Sequence, residues 1–226
     1  MPKIGMVSVI IPTLNEAGTI GETIRTLRKV LRYPHEIIVV DGNSTDNTQE
    51  IVKKENCKLI VEPRRGYGIA LKVGVEHAKG DVIVMVDGDG TYEIKDVNRL
   101  LGVMLSENVE LCLGARMNGL YDKSMDITNY LGNKVITFLF NLLYKQRLLD
   151  SQSGFRVIMR SALEKVELGE KDMAFATEML VNFAKRGFRI VEIPTSYKPR
   201  VYGKSKLKRI KAGLEILRVL IRGVKK

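Results

Sequence analysis

Short unbroken apolar runs alternate with stretches of helical periodicity along the first half of this 226-residue chain. The clearest run is residues 82–86, VIVMV, and such a run is typical of a strand buried on both faces of a parallel sheet. Similar runs predict earlier strands at residues 6–11, which Pro12 ends, at 36–40 and at 57–61. The pattern therefore predicts four strands in the first half of the chain.

Apolar residues at steps of three and four predict a helix after each of the first three strands. Asn15 is predicted to cap the first of these helices, whose spaced apolar residues are Ile20, Ile24, Leu27 and Leu31. Asp46 is a candidate cap for the second, which runs to about Lys54, and the third follows Gly68 and runs to Ala78. This alternation predicts an α/β fold with a doubly wound, mostly parallel sheet and right-handed crossovers.

The second half of the chain is predicted to add three strands and four helices. The strands cover residues 110–114, 156–159 and 188–193, and the helices start at Asp96, cover 126–144 and 177–185, and close the chain. The helix at 126–144 is long and mostly apolar, so it either packs on the core or as a lid, or contacts lipid. No repeat, low-complexity segment or Pro/Gly-rich linker divides the chain, and we predict one domain over residues 1–206. Residues 207–226 are predicted to form a basic amphipathic helix that belongs to this domain or contacts a membrane.

Composition places the chain among ordinary soluble globular proteins, with 45% apolar residues. A strand begins almost at the amino terminus, so no signal peptide is predicted. The strongest apolar run, residues 135–144, is well short of the roughly 20 residues that a membrane-spanning helix needs. Cys57 and Cys112 lie in apolar runs without metal-ligand spacing, which indicates buried free thiols and permits a reducing compartment. We therefore expect a cytoplasmic chain without a transmembrane helix.

The net charge of +11 is concentrated at the end of the chain. Residues 200–226 contain ten Lys or Arg residues and one Glu, whereas the first 199 residues are nearly neutral. A basic tail of this kind suits nucleic acid, an anionic lipid surface or a phosphorylated substrate, and charge alone does not choose among them.

Within the tail, apolar residues recur at alternating steps of three and four beside many basic residues. This pattern predicts either an interfacial helix on an anionic membrane surface or a helix whose apolar stripe packs on the sheet. The stripe consists of Ile210, Leu214, Leu217, Ile221 and Val224.

Two aspartates directly follow the strand at residues 82–86. Open α/β sheets bind ligands at the carboxyl ends of their strands, so Asp87 and Asp89 are predicted to face a crevice, with Gly88 and Gly90 allowing a tight bend. Carboxylates this close are stabilised by a cation, and oxygen ligands favour Mg²⁺ or Mn²⁺, with a diphosphate as the usual further ligand. The other interpretation is a simple polar turn.

A further carboxylate, Asp41, follows the strand at residues 36–40. The first two β-α turns lack G-x-G-x-x-G, which removes the main support for a dinucleotide-binding oxidoreductase, and the chain has no G-x-x-x-x-G-K-[ST] for a P-loop NTPase. Asp41 is suited to accept hydrogen bonds from a nucleobase or ribose, while Asp87 and Asp89 hold a metal diphosphate. This layout predicts a site for a nucleotide-activated donor.

Seven segments, in order along nearly the whole chain, resemble one enzyme family. They are VSVIIPTLNE at 7–16, IIVVDGNSTDNT at 37–48, RRGYGIAL at 64–71, VDGDGTYE at 86–93, GARMNG at 114–119, DSQSGFR at 150–156 and EIPTSYKPRVYGKSKL at 192–207. On these segments the chain resembles the inverting glycosyltransferases of family 2 with the GT-A fold, and within them the dolichol-phosphate mannose synthases and related polyprenyl-phosphate hexosyltransferases. It departs from the mannose synthases at Thr91, where they often place Gln. The chain also has no Trp, no Q-x-x-R-W motif and no spanning segment, which separates it from the processive polysaccharide synthases and favours transfer of a single sugar.

The resemblance implies a metal-dependent transferase that moves a hexose, mannose or glucose, from a GDP- or UDP-linked sugar. It implies that Asp87 and Asp89 take the metal diphosphate, with Mg²⁺ or Mn²⁺ as the cofactor and Asp89 as a catalytic residue. It also implies that the final loop meets phosphate. The residues that it assigns to the nucleotide sugar are Pro12, Asn15, Glu16, Asp41, Asp87 and Gly88.

Basic residues in several segments are predicted to converge on the mouth of the crevice, where they suit a phosphate-bearing acceptor. A phosphomonoester has a second pKa near ~6, so it is mostly dianionic at pH 7 and needs no strong base as a nucleophile. This fits a chain whose two histidines, His35 and His77, lie outside the motifs. Asp150 is predicted to orient the acceptor or act as a base, or else to cap its loop. The predicted acceptor-phosphate residues are Arg116, Lys134, Arg200, Lys204 and Lys206.

Three functions compete on the sequence. The leading hypothesis is hexose transfer to a polyprenyl (dolichyl) phosphate by a peripheral protein on the anionic inner, cytoplasmic face of a membrane. A second is transfer to a saccharide or protein hydroxyl, which would need a base such as Asp150 or Glu178; otherwise Glu178 is expected to pair with a nearby Arg. A third is a nucleic-acid-binding module, but the tail has no aromatic residue after Tyr202 and no zinc spacing, so no nucleic acid partner is expected.

Overall fold

A seven-stranded sheet forms the centre of the computed structural model, which describes residues 4–116, 125–200, 202 and 209–225. The strands are β1 (Val7–Thr13), β2 (His35–Asp41), β3 (Lys58–Val61), β4 (Val82–Met85), β5 (Leu111–Ala115), β6 (Arg156–Met159) and β7 (Ile190–Pro194). Their order across the sheet is β3-β2-β1-β4-β6-β5-β7.

Helices follow most of the strands, close to the predicted positions. They are α1 (Ile20–Val30), α2 (Thr48–Lys54), α3 (Tyr67–His77), α4 (Val97–Glu107), α5 (Ile127–Tyr144), α6 (Arg160–Leu163), α7 (Ala174–Lys185) and α8 (Arg209–Lys225). Asp96 is the residue before α4, as predicted, and the side chain of Asp126 caps α5 by accepting a hydrogen bond from Thr128 N. The division predicted at residue 206 lies outside the described residues and stays a prediction.

The sheet confirms the predicted α/β class and is mostly parallel. β3, β2, β1 and β4 run in the same direction, and β7 runs parallel to β5. β6 runs antiparallel to both of its neighbours, β4 and β5. Because an antiparallel strand begins where its neighbours end, the loop that leads into β6 lies at the carboxyl ends of β4 and β5.

Helices cover both faces of the sheet, and this explains the unbroken apolar run in β4. Val82 and Val84 face the core formed with α1, α2 and α4, whereas Ile83 and Met85 face the core formed with α3, α5, α7 and α8. All four side chains are buried. A strand covered on both sides has no position for a polar residue, so the polar and apolar alternation of a half-exposed strand is absent.

β1 continues two residues past its predicted end, through Pro12 to Thr13. Val7 N donates to Pro34 O on the β2 side, so the backbone nitrogens of even-numbered residues in β1 face β4. Pairing between β1 and β4 ends at Ile10, and the missing amide hydrogen of Pro12 therefore breaks no hydrogen bond of the sheet. The prediction that Pro12 ends the strand is wrong for this reason.

The apolar stripe of α8 faces solvent rather than the sheet. Ile210, Leu214, Ile221 and Val224 are between 54 and 83% exposed, so the interpretation in which the stripe packs on the sheet is wrong for these four residues. Only Leu217 among the five predicted residues of the stripe packs partly against the core. The residues that attach α8 to α5 and α7 are a different set, Ala212, Ile216, Val219 and Leu220.

Within the described part of the chain, no helix has the length and apolar character that crossing a bilayer requires. Cys112 is a buried free thiol, as predicted. Cys57 is also free, but it is only half-buried.

Candidate active site

Three carboxylates meet at the carboxyl ends of β1 and β4. Glu16 belongs to the loop after β1, and Asp87 and Asp89 follow β4. These strands are parallel neighbours, so their carboxyl ends lie side by side. Glu16 and Asp89 are buried, and Asp87 is half-buried. The structure therefore joins residues predicted for the nucleotide sugar and for the metal in one carboxylate cluster (Glu16, Asp87 and Asp89).

The carboxylate cluster holds more negative charge than its surroundings neutralise. Burial and the charges of Asp89 and Asp87 raise the pKa of Glu16 to about 7. Burial and the charge of Asp89 raise the pKa of Asp87 to about 6. The guanidinium of Arg200 offsets part of this charge, because it contacts Asp89 Oδ2 and its Nη1 lies 3.5 Å from Glu16 Oε1. Carboxyl groups with raised pKa values indicate a place where a further cation would be favourable.

Neighbouring side chains hold the two aspartates in place. Tyr67 OH donates to Asp87 Oδ1 at 3.1 Å, and Thr91 donates to Asp89 Oδ1 from its amide at 3.1 Å and its hydroxyl at 2.6 Å. Thr91 thus orients a cluster residue from the position where the resemblance leads one to expect Gln. Tyr67 lies in the matched segment RRGYGIAL, but no local pattern in the sequence indicated this contact.

Glycines shape the backbone around the carboxylate cluster. Gly90 has a φ of 74°, a left-handed conformation that favours glycine, so the predicted tight bend is present there. At position 88 a glycine is needed because a Cβ atom there would lie only 2.7 Å from Glu16 Oε2. A side chain at either position would displace the carboxylates or strain the turn.

The raised pKa values predict a pH dependence of stability. Glu16 has an ordinary pKa of 4.5 and a folded-state pKa of about 7, so the folded protein binds this proton more tightly than the unfolded chain does. The resulting stabilisation is complete below pH 4.5 and is lost as the pH rises through 7. We expect the free energy of unfolding, measured by urea titration in EDTA between pH 5 and 8, to fall with pH less steeply in Glu16→Gln than in the wild type. Equal slopes for the two proteins would contradict the raised pKa.

The loops after β1 and β2 are tied together beside the carboxylate cluster. Asp41, buried at the end of β2, accepts from Ser44 N at 2.8 Å and from Gln49 Nε2 at 2.7 Å. Asn15 N donates to Ser44 Oγ at 2.8 Å, and Asn15 Oδ1 accepts from Thr45 N at 2.7 Å. The predicted nucleotide residues on β1, on β2 and in the loop after β1 therefore lie at one edge of the sheet.

The prediction that Asn15 caps α1 is wrong. α1 begins only at Ile20, and Asn15 adopts a left-handed conformation with a φ of 53°. Its side chain instead accepts a hydrogen bond from the backbone of the loop after β2, and Asn is one of the residues that tolerate a left-handed conformation.

Asp150 and Arg116 form a buried ion pair at the carboxyl end of β5. Arg116 donates to Asp150 Oδ2 from Nε at 2.7 Å and to Asp150 Oδ1 from Nη2 at 2.9 Å. Burial acts to raise the pKa of Asp150, but the charge and hydrogen bonds of Arg116 outweigh burial and hold this pKa below its usual value. The guanidinium of Arg116 also lies over the ring of Tyr197, 5.5 Å from its centre, and its charge offsets part of the rise in the pKa of Asp87. The ion pair therefore borders the carboxylate cluster.

Arg156 holds the loop between Asp150 and β6, and sequence reasoning assigned it no role. Its guanidinium is buried and donates to three backbone carbonyl oxygens, those of Ser153 at 2.9 Å, Ala176 at 2.7 Å and Ser151 at 3.3 Å. These bonds tie the loop to α7. The only signal in the sequence is that Arg156 ends the matched segment DSQSGFR.

The remaining predicted acceptor residues lie in different places. Lys134 is on α5, with its Nζ 5.6 Å from the centre of the Tyr130 ring. Lys204 and Lys206 lie outside the described residues. Of the five predicted basic residues, the structure therefore places Arg200 in contact with the carboxylate cluster and Arg116 beside the cluster.

Glu178, the other candidate base, pairs with an arginine, as predicted for a structural residue. Glu178 Oε1 lies 3.3 Å from Arg222 Nη2, and Glu178 Oε2 accepts from Glu170 N at 2.7 Å. Burial raises the pKa of this carboxyl group.

Several known proteins are similar to this chain in sequence. Glycosyltransferase AglJ of Haloferax volcanii is 33% identical over 204 residues, which cover 90% of this chain and 66% of AglJ. The low-salt glycan biosynthesis hexosyltransferase Agl6 of the same organism is 34% identical over 85% of this chain and 48% of Agl6. The chain thus spans less than two thirds of the length of these two relatives. A dolichyl-phosphate hexose transferase of H. volcanii is 27% identical over 95% of this chain and 92% of that protein.

A solved structure shares the fold. Glucosyl-3-phosphoglycerate synthase from Mycobacterium tuberculosis, in complex with Mn²⁺, UDP-glucose and phosphoglyceric acid, superposes with a TM-score of 0.78 and 20% identity. The match covers 97% of this chain and 80% of that chain, and it confirms the predicted GT-A fold. The model of the family described as Glycosyl transferase family 2 matches residues 8–167. Because this match takes in more than half of the sequence, including the whole carboxylate cluster and Asp150, the chain belongs to glycosyl transferase family 2.

Proposed function

We propose that this chain transfers a hexose from a nucleoside diphosphate sugar to a polyprenyl phosphate, with inversion, at the anionic cytoplasmic surface of a membrane. The observation that carries the proposal is the position of Arg200. Its guanidinium reaches the carboxylate cluster from the loop after β7, in the most basic part of the sequence. A guanidinium suits a phosphate because it donates two parallel hydrogen bonds. An acceptor that carries a phosphate would meet this side chain next to the donor.

The carboxylate cluster fits a divalent cation. Asp87 and Asp89 offer oxygen ligands, which Mg²⁺ and Mn²⁺ prefer, and burial together with the charge of Asp89 raises the pKa of Asp87. Among the described residues, no group of three or more His, Cys, Asp or Glu side chains has the arrangement of a complete metal site. The donor diphosphate would therefore supply the remaining ligands. When bound, the cation would act as a Lewis acid that stabilises charge on the departing diphosphate.

The ion pair and the lowered pKa of Asp150 favour a phosphate over a hydroxyl as the acceptor. A hydroxyl nucleophile needs a general base with a pKa near the working pH. Arg116 occupies both carboxylate oxygens of Asp150 and holds its pKa below the usual value, which makes Asp150 a weak base. A phosphate dianion needs no such base. In this proposal Asp150 is an orienting residue, which keeps Arg116 directed toward the crevice.

The similar proteins support a phosphate-bearing acceptor in two ways. One relative is named a dolichyl-phosphate hexose transferase. The solved structure with the same fold contains phosphoglyceric acid, which also carries a phosphate.

The test is a matrix of donors and acceptors. Purified protein with Mn²⁺ or Mg²⁺ is given UDP- or GDP-linked glucose or mannose, together with detergent-solubilised polyprenyl phosphate, the matching polyprenol, 3-phosphoglycerate or a free saccharide. We expect transfer to polyprenyl phosphate and at least a hundredfold less to the polyprenol. Faster transfer to 3-phosphoglycerate, or to a saccharide hydroxyl, would overturn the lipid acceptor.

Arg200→Ala provides a second test of the acceptor site. Loss of a charge-assisted hydrogen bond costs about 1.5–3 kcal/mol, which corresponds to at least a tenfold change in binding. We therefore expect the KM for polyprenyl phosphate to rise about tenfold or more, and the KM for the donor to change less. Arg189→Ala, which removes an exposed arginine directly before the start of β7, at the end of the strand away from Arg200, is the control. Equal increases in the two KM values would place Arg200 on the donor instead.

A further inference from the structure

Two helices expose most of the large apolar side chains that the described surface carries. Of the thirteen exposed large apolar residues, six lie on α5 and four on α8. Scattered single apolar residues are normal on a protein surface, but a concentration on two adjacent helices indicates a contact surface. We call this surface the α5/α8 face. Its members are Ile127, Leu131, Val135, Phe138, Leu142 and Leu143 on α5, and Ile210, Leu214, Ile221 and Val224 on α8.

The exposed residues of α5 form a continuous stripe. Five of them recur at steps of four, four, three and four, from Ile127 to Leu142, so they share one side of the helix. The opposite side of α5 is already used, because Thr137 and Phe140 are buried against the body of the protein. α5 is therefore apolar on two sides, and only one of them has a partner within the described part of the chain.

The stripes of α5 and α8 belong to one surface. Tyr144 OH, at the end of α5, donates to Leu220 O of α8 at 2.6 Å. Gly223 allows this close contact, since a Cβ atom there would lie 2.3 Å from the Tyr144 oxygen. Both helices cover the same face of the sheet, so their outer sides point away from it together.

The charges around the α5/α8 face identify its partner. Lys145, Arg147, Lys211 and Arg218 are exposed on these two helices or directly after them. The described part of the two helices contains one acidic residue, Glu215, and it is paired with Lys211. A second copy of the chain would bring like charges together across such a contact. Anionic lipid headgroups have the complementary charge, while the acyl boundary accepts the apolar stripes.

We propose that α5 and α8 together are the membrane-docking face of this protein, with an anionic bilayer surface as the partner. This joins the lipid contact that the sequence left open for the helix at 126–144 to the prediction for the carboxyl-terminal helix, because α5 supplies more exposed apolar residues than α8 does.

The location of α5 gives the docking face a role in the proposed reaction, and only this role depends on the proposed function. Thr137 Oγ1 accepts from Ser151 N at 3.0 Å, next to the Asp150–Arg116 ion pair. A bilayer seated on the outer side of α5 is therefore separated from the acceptor end of the crevice by the width of a single helix. The phosphate of a membrane-anchored lipid would have to move only the width of one helix, ~10 Å, to meet Arg116.

The experiment uses the full chain and vesicles of phosphatidylglycerol and phosphatidylcholine, without substrate. The α5 variant Phe138→Ser/Leu142→Ser and the α8 variant Ile210→Ser/Leu214→Ser each remove two side chains that are at least 63% exposed. Val61→Ser, on the edge strand β3 and 45% exposed, is the matched control. We expect each double variant to lose about tenfold or more in vesicle co-sedimentation, with Val61→Ser unchanged. Binding of the wild type should fall as the salt concentration rises.

Other outcomes would overturn the proposal. If the α5 variant binds vesicles as well as the wild type does, α5 is not part of the docking face. If the wild type binds no vesicles but sediments as a dimer, and the α5 variant sediments as a monomer, the face binds a second copy of the chain. Thermal unfolding checks that the variants are folded, which we expect because the replaced side chains are exposed.

Turnover of detergent-solubilised polyprenyl phosphate separates the docking proposal from the proposed function. Vesicle binding that depends on α5, in a protein that does not use this acceptor, would refute the proposed function and leave the docking face standing.

Discussion

Replacing Asp89 by Asn is expected to reduce the proposed hexose transfer by about a thousandfold or more and to leave the protein folded. Asp89 is buried in the carboxylate cluster, and Thr91 and Arg200 hold its two oxygens. A metal-binding carboxylate contributes several kcal/mol to the transition state through charge, and each ~1.4 kcal/mol is a factor of ten in rate. Asn keeps the shape of the side chain but cannot supply the charge. The loss should appear in kcat rather than in the amount of folded protein.

The stability of Asp89→Asn separates a catalytic effect from a structural one. Asp89 raises the pKa values of Glu16 and Asp87, so its removal relieves like-charge repulsion in the cluster. We expect the free energy of unfolding in urea to stay within about 1 kcal/mol of the wild type. Glu164→Gln, which alters an exposed carboxylate on the body of the protein, is the activity control. Full activity of Asp89→Asn, or of the wild type in excess EDTA, would contradict the metal assignment.

Asp150→Asn is expected to have the largest effect on stability. The carboxylate is fully buried and is the counter-charge of Arg116, whose side chain is also nearly buried. Removing one partner leaves the other charge buried without compensation, which costs about 3–5 kcal/mol. We expect a loss of this size in the free energy of unfolding, measured by urea titration at pH 7.

Two comparisons test the origin of that loss. Glu55→Gln breaks an ion pair with Arg25, which is largely exposed, so it should cost less than about 1 kcal/mol. Arg116→Met/Asp150→Leu removes both buried charges and should recover part of the stability that Asp150→Asn loses. If Asp150→Asn loses activity but no stability, Asp150 acts as a base rather than as the partner of Arg116.

The burial of β4 explains why the sequence around this strand predicted the position of Asp87 and Asp89 correctly. Burial on both faces of the sheet demands apolar residues at every position, so an unbroken run in the sequence reports a central strand directly. β4 ends at Met85, and the polar residues that follow Val86 must lie at the carboxyl end of this strand. The positions of Asp87 and Asp89, and by the same argument of Asp41, follow from local sequence alone.

Errors arose where a local signal had a different use in three dimensions. Pro12 usually interrupts a strand, but here its nitrogen faces a side where pairing has already ended. Asn15 is a good helix cap by residue type, but the loop after β2 lies close enough to take its side chain. In both cases a neighbouring strand or its loop determined the conformation of the residue. The sequence close to Pro12 or Asn15 does not show which strand will be that neighbour.

The sequence by itself determined the α/β class, the order of the strands and helices along the chain, and the carboxylates at the strand ends, because burial and backbone geometry impose local periods on residue types. Only the tertiary structure decided which distant residues meet. Arg200 reaches Asp89 across 111 positions, and Tyr67 reaches Asp87 across 20. The order of strands in the sheet and the reversal of β6 create these contacts, and both depend on the packing of the whole chain. For the same reason, only the structure showed that α5 and α8 each keep a second apolar side, since periodicity reports that a side chain is apolar but not what covers it.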